Sequence, residues 1–257
     1  MTKVKICGLK RKEDIEFANI LLPEYAGFVF AASPRQVSAE QAAKLRAELD
    51  LRVRTVGVFV KEDINFIKRL AAERIIDVVQ LHGDESQEYC RELRRKINLP
   101  VIKVLRVRNI ESFESTIDYE CDYLLDTYTK TAYGGSGQRF DLEILKNIKL
   151  QRPFFLAGGL DAKNVHEALE AKPYAVDVSG GVETDGSKDF EKMRAFSYEQ
   201  NITRWLLDVR ISNETAIHFY KAAGFAEDGV RKNFYANPPE DAILMSCEVE
   251  TSGSDRA

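Results

Sequence analysis

Val4-Lys-Ile-Cys-Gly-Leu-Lys10 decides what kind of sheet this chain builds. It is a short β-branched run closed by a glycine, as expected of a parallel strand buried on both faces. An open, doubly wound sheet would follow its first strand with a Gly-x-Gly-x-x-Gly turn. Here the turn reads Cys7-Gly8-Leu9-Lys10, so a closed barrel is the better reading.

Working outward, the same kind of run recurs along the chain. After Val4 to Cys7 come Gly27 to Phe30, Thr55 to Val60, Val78 to Leu81, Val101 to Leu105, Tyr123 to Asp126, Phe154 to Ala157 and Ala175 to Val178. Amphipathic helical patterns separate them. One starts at Ser38-Ala-Glu-Gln41 with a capping-box signature. Asp63 to Glu73, Glu85 to Lys96, Asn164 to Ala171 and Asp189 to Phe196 supply others. Strand and helix in eightfold alternation predict an α/β fold, a (β/α)8 TIM barrel. The 257 residues leave room for such a barrel and a small appendage.

The composition narrows the class. Lys plus Arg number 37 against 41 Asp plus Glu, and no basic tract stands out, so a nucleic-acid partner has no support. A local cationic pocket for an anionic substrate is still compatible with that balance. The start of the chain is too polar for a signal peptide, and no apolar run reaches membrane-spanning length. Cys7, Cys90, Cys121 and Cys247 are widely spaced, with no metal-ligand pattern. A reduced, cytoplasmic protein with no membrane partner is expected.

In this fold the chemistry sits at the carboxyl ends of the strands. Those ends carry Cys7-Gly8, Arg35 in the connection after strand two, His82-Gly83, Asp126-Thr127, Gly158-Gly159 and Asp177-Val-Ser-Gly-Gly181. Two glycine pairs after strands seven and eight let backbone N–H groups approach an anion, which suits a phosphate group. A single pair would read as a tight turn. Cys7 as a thiolate can take a proton and Asp126 as an acid can give one, so the two could work across one substrate. His82 is as readily a hydrogen-bonded strand-end residue as a substrate contact. His166 and His218 fall in helical patterns and read as solvated or structural. Tyr133-Gly-Gly-Ser-Gly137 reads as a lid over the mouth rather than a linker.

These blocks occur together in a known order. Val4-Lys-Ile-Cys-Gly8, Gly57-Val-Phe-Val60, Val79-Gln-Leu-His-Gly83, Leu125-Asp126, Gly134-Gly-Ser-Gly137 and Asp177-Val-Ser-Gly-Gly-Val182 resemble the phosphoribosylanthranilate isomerases over residues 3 to about 196. The resemblance implies an aldose–ketose isomerase of tryptophan biosynthesis. It would rearrange N-(5-phosphoribosyl)anthranilate to 1-(2-carboxyphenylamino)-1-deoxyribulose 5-phosphate, without metal or organic cofactor. It assigns Cys7 as general base, Asp126 as general acid and Arg35 as partner of the anthranilate carboxylate. Gly158, Gly159, Gly180 and Gly181 become the phosphate cradle. His82, Asp177, Ser179, Gly134 and Gly135 become further pocket positions. Other sugar-phosphate barrels fit less well: the histidine-pathway isomerase would place an aspartate at position 7, and indoleglycerol-phosphate synthase would need a strand-end lysine acid.

After Phe196 the pattern changes. Leu206-Leu-Asp-Val-Arg-Ile-Ser-Asn213, Ala216-Ile-His-Phe-Tyr-Lys-Ala-Ala-Gly-Phe225, Asn233-Phe-Tyr235 and Glu240-Asp-Ala-Ile-Leu-Met245 resemble the C-terminal part of a GNAT N-acetyltransferase. Strand, helix and two strands are expected there. The resemblance aligns Tyr220 with a general acid and Asp208 with a glutamate base. The family's pyrophosphate loop is missing, because barrel stands where it would lie. The chain is therefore expected as a barrel over 1–200, a GNAT-like fragment over 201–250 and a disordered tail over 251–257. A bifunctional enzyme and a homo-oligomer formed through the fragment are left open.

Overall fold

The computed structural model describes residues 2–107, 119–127, 145, 152–198, 204–236 and 238–248. The chain divides into two compact units, Met1–Gln200 and Asn201–Ala257.

The first unit is a closed barrel whose strands follow one another in chain order. They are β1 (Lys3–Cys7), β2 (Tyr25–Val29), β3 (Arg54–Phe59), β4 (Val78–Leu81), β5 (Val101–Val107), β6 (Asp122–Thr127), β7 (Phe154–Leu156) and β8 (Ala175–Val178). Every neighbouring pair is parallel, and β8 closes on β1 with Lys5 directly opposite Asp177. The eight expected strands are all present, each within two residues of its expected start. Alternate side chains fill the lumen. Tyr25, Val56, Val78, Ile102, Leu124 and Phe155 belong to one buried cluster there. Tyr25 and Phe155 meet edge to face with centroids 5.4 Å apart.

The helices described outside the barrel are α1 (Lys12–Leu21), α2 (Ala39–Glu48), α3 (Ile64–Ala72), α4 (Gln87–Lys96), α5 (Val165–Glu170) and α6 (Phe190–Tyr198). Side-chain caps start three of them: Ser38 accepts from Gln41 N, Asp63 from Asn65 N and Ser86 from Tyr89 N. The capping box at Ser38 is only half made. The Gln41 amide donates instead to the Lys10 carbonyl at 2.7 Å, tying α2 to the β1–α1 connection. The fourth helix starts two residues later than expected. Glu85 turns inward, 4% exposed, where it accepts from Lys103 Nζ at 2.8 Å and Lys61 N at 2.8 Å. A buried carboxylate needs such partners, and they outweigh its use in the first helical turn.

Between β8 and α6 lie a 3-10 turn (Gly180–Val182) and a two-residue hairpin, β9 (Glu183–Thr184) with β10 (Ser187–Lys188). Among the described residues no helix is long and apolar enough to cross a membrane.

The second unit contains β11 (Arg204–Arg210), α7 (Glu214–Ala222), β12 (Ala226–Ala236) and β13 (Pro239–Glu248), the strand–helix–strand–strand order expected. Its antiparallel sheet runs β11-β13-β12. Leu207, Val209, Ile217, Phe225, Ile243 and Met245 are among its buried side chains. Nearly all of β12 is exposed, including Val230 and Phe234.

Candidate active site

Lys5 and Cys7 share the lumenal face of β1, because residues two apart on a strand point the same way. Lys5 is wholly buried, and its Nζ donates to Asp177 Oδ1 at 2.7 Å across the β1–β8 seam. Its charge also acts on the Cys7 thiol, two residues along on the same face. Burial works against the Lys5 ammonium, but Asp177 and Cys7 beside it outweigh burial and raise its pKa. Cys7 sits opposite Gly27 of β2, and a Cβ at position 27 would stand 2.7 Å from its Sγ. The thiol thus occupies room that only glycine leaves. Burial pushes the Cys7 pKa up; Lys5 and Lys188 pull it down, and Asp177 adds to the rise.

Arg35 lies across the end of β1. Gly8 permits this, since a Cβ there would come within 2.5 Å of Arg35 Cδ and its φ of +84° favours glycine. The guanidinium binds Glu183 through two bonds of 2.7 Å. Lys188 joins them, its Nζ donating to Glu183 Oε1 at 2.7 Å and to the Ser179 carbonyl at 3.0 Å. Burial opposes the Glu183 carboxylate, but the bonds from Arg35 and Lys188 hold its pKa at about 2. Arg35 therefore rests on a carboxylate of its own chain, a partner that the sequence reading did not include.

On the far side of the mouth, Gln80 Nε2 and His82 Nδ1 are 2.9 Å apart. With the amide nitrogen donating, the proton of the neutral ring lies on Nε2, which faces Asp126 Oδ2 at 3.5 Å. Asp126 Oδ1 accepts from Thr127 N at 2.8 Å. Asp177 lies between the two sides. It pairs with Lys5, while Asp126 and His82 are close enough to act on its charge.

Gly158 and Gly159 have φ of 97° and 64°, and Gly181 packs so tightly on the next loop that a Cβ would fall 1.9 Å from the Leu160 carbonyl oxygen. Chain geometry alone thus requires glycine at these three positions. At Gly180 the nearest group to an added Cβ is Arg35, at 3.4 Å. Ser179 Oγ donates to the Cys7 carbonyl at 2.9 Å. Of the expected positions, Cys7, Arg35, His82, Asp126, Gly158, Gly159, Asp177, Ser179, Gly180 and Gly181 all stand at carboxyl ends of barrel strands or in the connections that follow. Gly134 and Gly135, with the rest of the expected lid, lie outside the described residues. Lys5, Gln80, Glu183 and Lys188 were not anticipated.

A closed parallel barrel with acid–base groups and glycine turns gathered at one rim belongs to the (β/α)8 enzymes. Comparison with known proteins specifies which. Residues 4–199 match the family of N-(5'-phosphoribosyl)anthranilate (PRA) isomerases. The chain is 50% identical over 198 residues to the N-(5'-phosphoribosyl)anthranilate isomerase of Thermoanaerobacter sp. (strain X514), covering 76% of this chain and 96% of that one. Identity to the Endomicrobium trichonymphae enzyme is 47% over 195 residues, or 75% and 95% of the two chains. The crystal structure of phosphoribosyl anthranilate isomerase from Thermotoga maritima superposes with a TM-score of 0.71 at 37% identity, covering 77% and 98%. A further isomerase structure, at 36% identity, TM-score 0.67 and the same coverage, is a complex with reduced 1-(o-carboxyphenylamino)-1-deoxyribulose 5-phosphate. The chain belongs to the phosphoribosylanthranilate isomerase family, and its barrel is an isomerase.

Proposed function

We propose that the barrel rearranges N-(5'-phosphoribosyl)anthranilate with Asp126 as general acid and Cys7 as general base. The observation that carries this is their placement: each is buried at a strand end, on either side of Asp177, within one charged rim. Asp126 gives its proton to the ribose ring oxygen as the C1–O bond opens. The Cys7 thiolate then takes the C2 proton, leaving an enolamine that becomes the ketone. His82, its Nε2 turned to Asp126, steadies the carboxyl group. Incubating the protein with phosphoribosylanthranilate should abolish the substrate's fluorescence at a catalysed rate. Fluorescence that decays only at the spontaneous rate would refute the reading.

The substrate carboxylate is read by Arg35. Glu183 takes its Nε and one terminal nitrogen, so the incoming carboxylate meets the other. Arg35→Ala should raise KM more than it lowers kcat, because an anchor acts mainly in binding. A loss confined to kcat would count against anchoring. The phosphate is cradled by backbone N–H groups around Gly158, Gly159, Gly180 and Gly181, with Ser179 beside them. The close approach of Gly181 to Leu160 supports this, since it brings the two loops together.

For the second unit, the order strand, helix, strand, strand supports a GNAT-like fragment. Such a fragment lacks the loop that holds the pyrophosphate of acetyl-CoA, so it has no acetyltransferase activity. Titrating acetyl-CoA into the full chain by calorimetry should give no binding heat at micromolar concentrations. Micromolar affinity would instead make the protein bifunctional.

A further inference from the structure

We propose that Lys5 is a positioning residue for the isomerisation, holding the anionic form of the Cys7 sulfur that receives the substrate proton. This rests on the reading of Cys7 as the base.

The lumen of such a barrel is ordinarily filled by branched apolar side chains, and an ammonium there is costly unless it is paired. Lys5 is nevertheless 0% exposed. One of its three donors goes to Asp177 Oδ1 at 2.7 Å, directly across the β1–β8 register. That bond makes burial of the lysine tolerable, but it does not explain why the charge is placed there at all. The Cys7 thiol stands two residues along on the same face, where the Lys5 charge acts on it. The sulfur has little room to turn away, because its other flank is closed by the backbone of Gly27.

The surrounding charges point the same way. Lys5 stands on β1, Asp177 on β8, Lys188 on β10, Glu183 on β9 and Arg35 on the β2–α2 connection. Lys188 and Arg35 both act on Cys7 electrostatically. Three cations face two carboxylates, leaving one positive charge that a Cys7 thiolate neutralises. His82 and Asp126 act on the group from β4 and β6 through Asp177. Of the charges that favour the thiolate, Lys5 acts most strongly, against a burial that still leaves the Cys7 pKa raised overall.

The test reads Cys7 directly in the full-length protein without substrate. Iodoacetamide alkylation of the Cys7 peptide, resolved from the other three cysteines by mass spectrometry, is followed against pH. In Lys5→Met the alkylation midpoint should rise by about one pH unit or more, a roughly tenfold slower reaction at a fixed pH below the midpoint. In Asp177→Asn the midpoint should fall. The acid limb of kcat/KM should move with each midpoint. Circular dichroism checks folding; should Lys5→Met be unfolded, Lys5→Met with Asp177→Asn removes both buried charges together and should still raise the midpoint. A folded Lys5 variant with an unmoved midpoint overturns the proposal. So does a raised KM with an unmoved acid limb, which would assign the surplus charge to the substrate anion. Cys7→Ala with normal turnover removes the base assignment itself, whereas an unmoved midpoint beside an inactive Cys7→Ala removes only the role of Lys5.

Discussion

Cys7→Ala is expected to lower kcat by about 10²–10⁴-fold, the usual loss for a missing general base. The fold should survive. The sulfur is a single buried atom standing over Gly27, so its removal takes away little volume. Lys5 keeps its bond to Asp177, so no buried charge is orphaned. The stability cost should be on the order of 1 kcal/mol, about that of one buried methylene. Steady-state turnover of the purified variant, beside a thermal melt, checks both halves. Near-normal turnover would show that another group takes the C2 proton.

Asp126→Ala should lose a comparable factor, about 10²–10⁴ in kcat. Two features allow a sharper version. Asp126 Oδ1 already accepts from Thr127 N, a bond that an asparagine oxygen can keep. Asp126→Asn therefore preserves shape and the local hydrogen bond while removing the acidic proton. If the role is proton donation, Asn should be nearly as damaging as Ala. If the role is only to orient His82 across 3.5 Å, Asn should retain most of the activity. Combining Cys7→Ala with Asp126→Asn should cost much less than the product of the single losses, since groups acting in one reaction sequence are not additive.

The barrel was legible because its strands are short β-branched runs and its caps are ordinary Ser and Asp. The first helix, α1, was not. Its N-cap position is Arg11, which is no standard capping residue, and the end is closed by Asp14 reaching back to the backbone N–H groups of Lys10 and Arg11. At the site, Cys7, Asp126 and Arg35 could be read because chemistry in this fold collects at strand ends. Lys5 could not be read so easily, since a strand buried on both faces has no polar face to mark. A signal was still present. With Cys7 in the lumen, the alternation Lys5-Ile6-Cys7 places Lys5 there too, and a charge inside the barrel demands a partner. Glu183 gave no local sign, because the guanidinium it holds is 148 residues away in sequence. Such pairs are made by closure of the barrel and exist only in three dimensions.

The contact of Gly181 with the Leu160 carbonyl limits how this rim can diversify. The loops after β7 and β8 touch with no space for even a methyl group, so neither is an independent module for mutation. A gene library that randomises one loop and includes position 181 would consist mostly of chains in which the neighbouring loop has been forced aside. Exploring new ligand specificity on this side of the rim calls for varying both loops together with Gly181 held constant. The connection after β2 is tied in through side chains instead, Arg35 lying over Gly8 and binding Glu183, so its variation has to respect both partners.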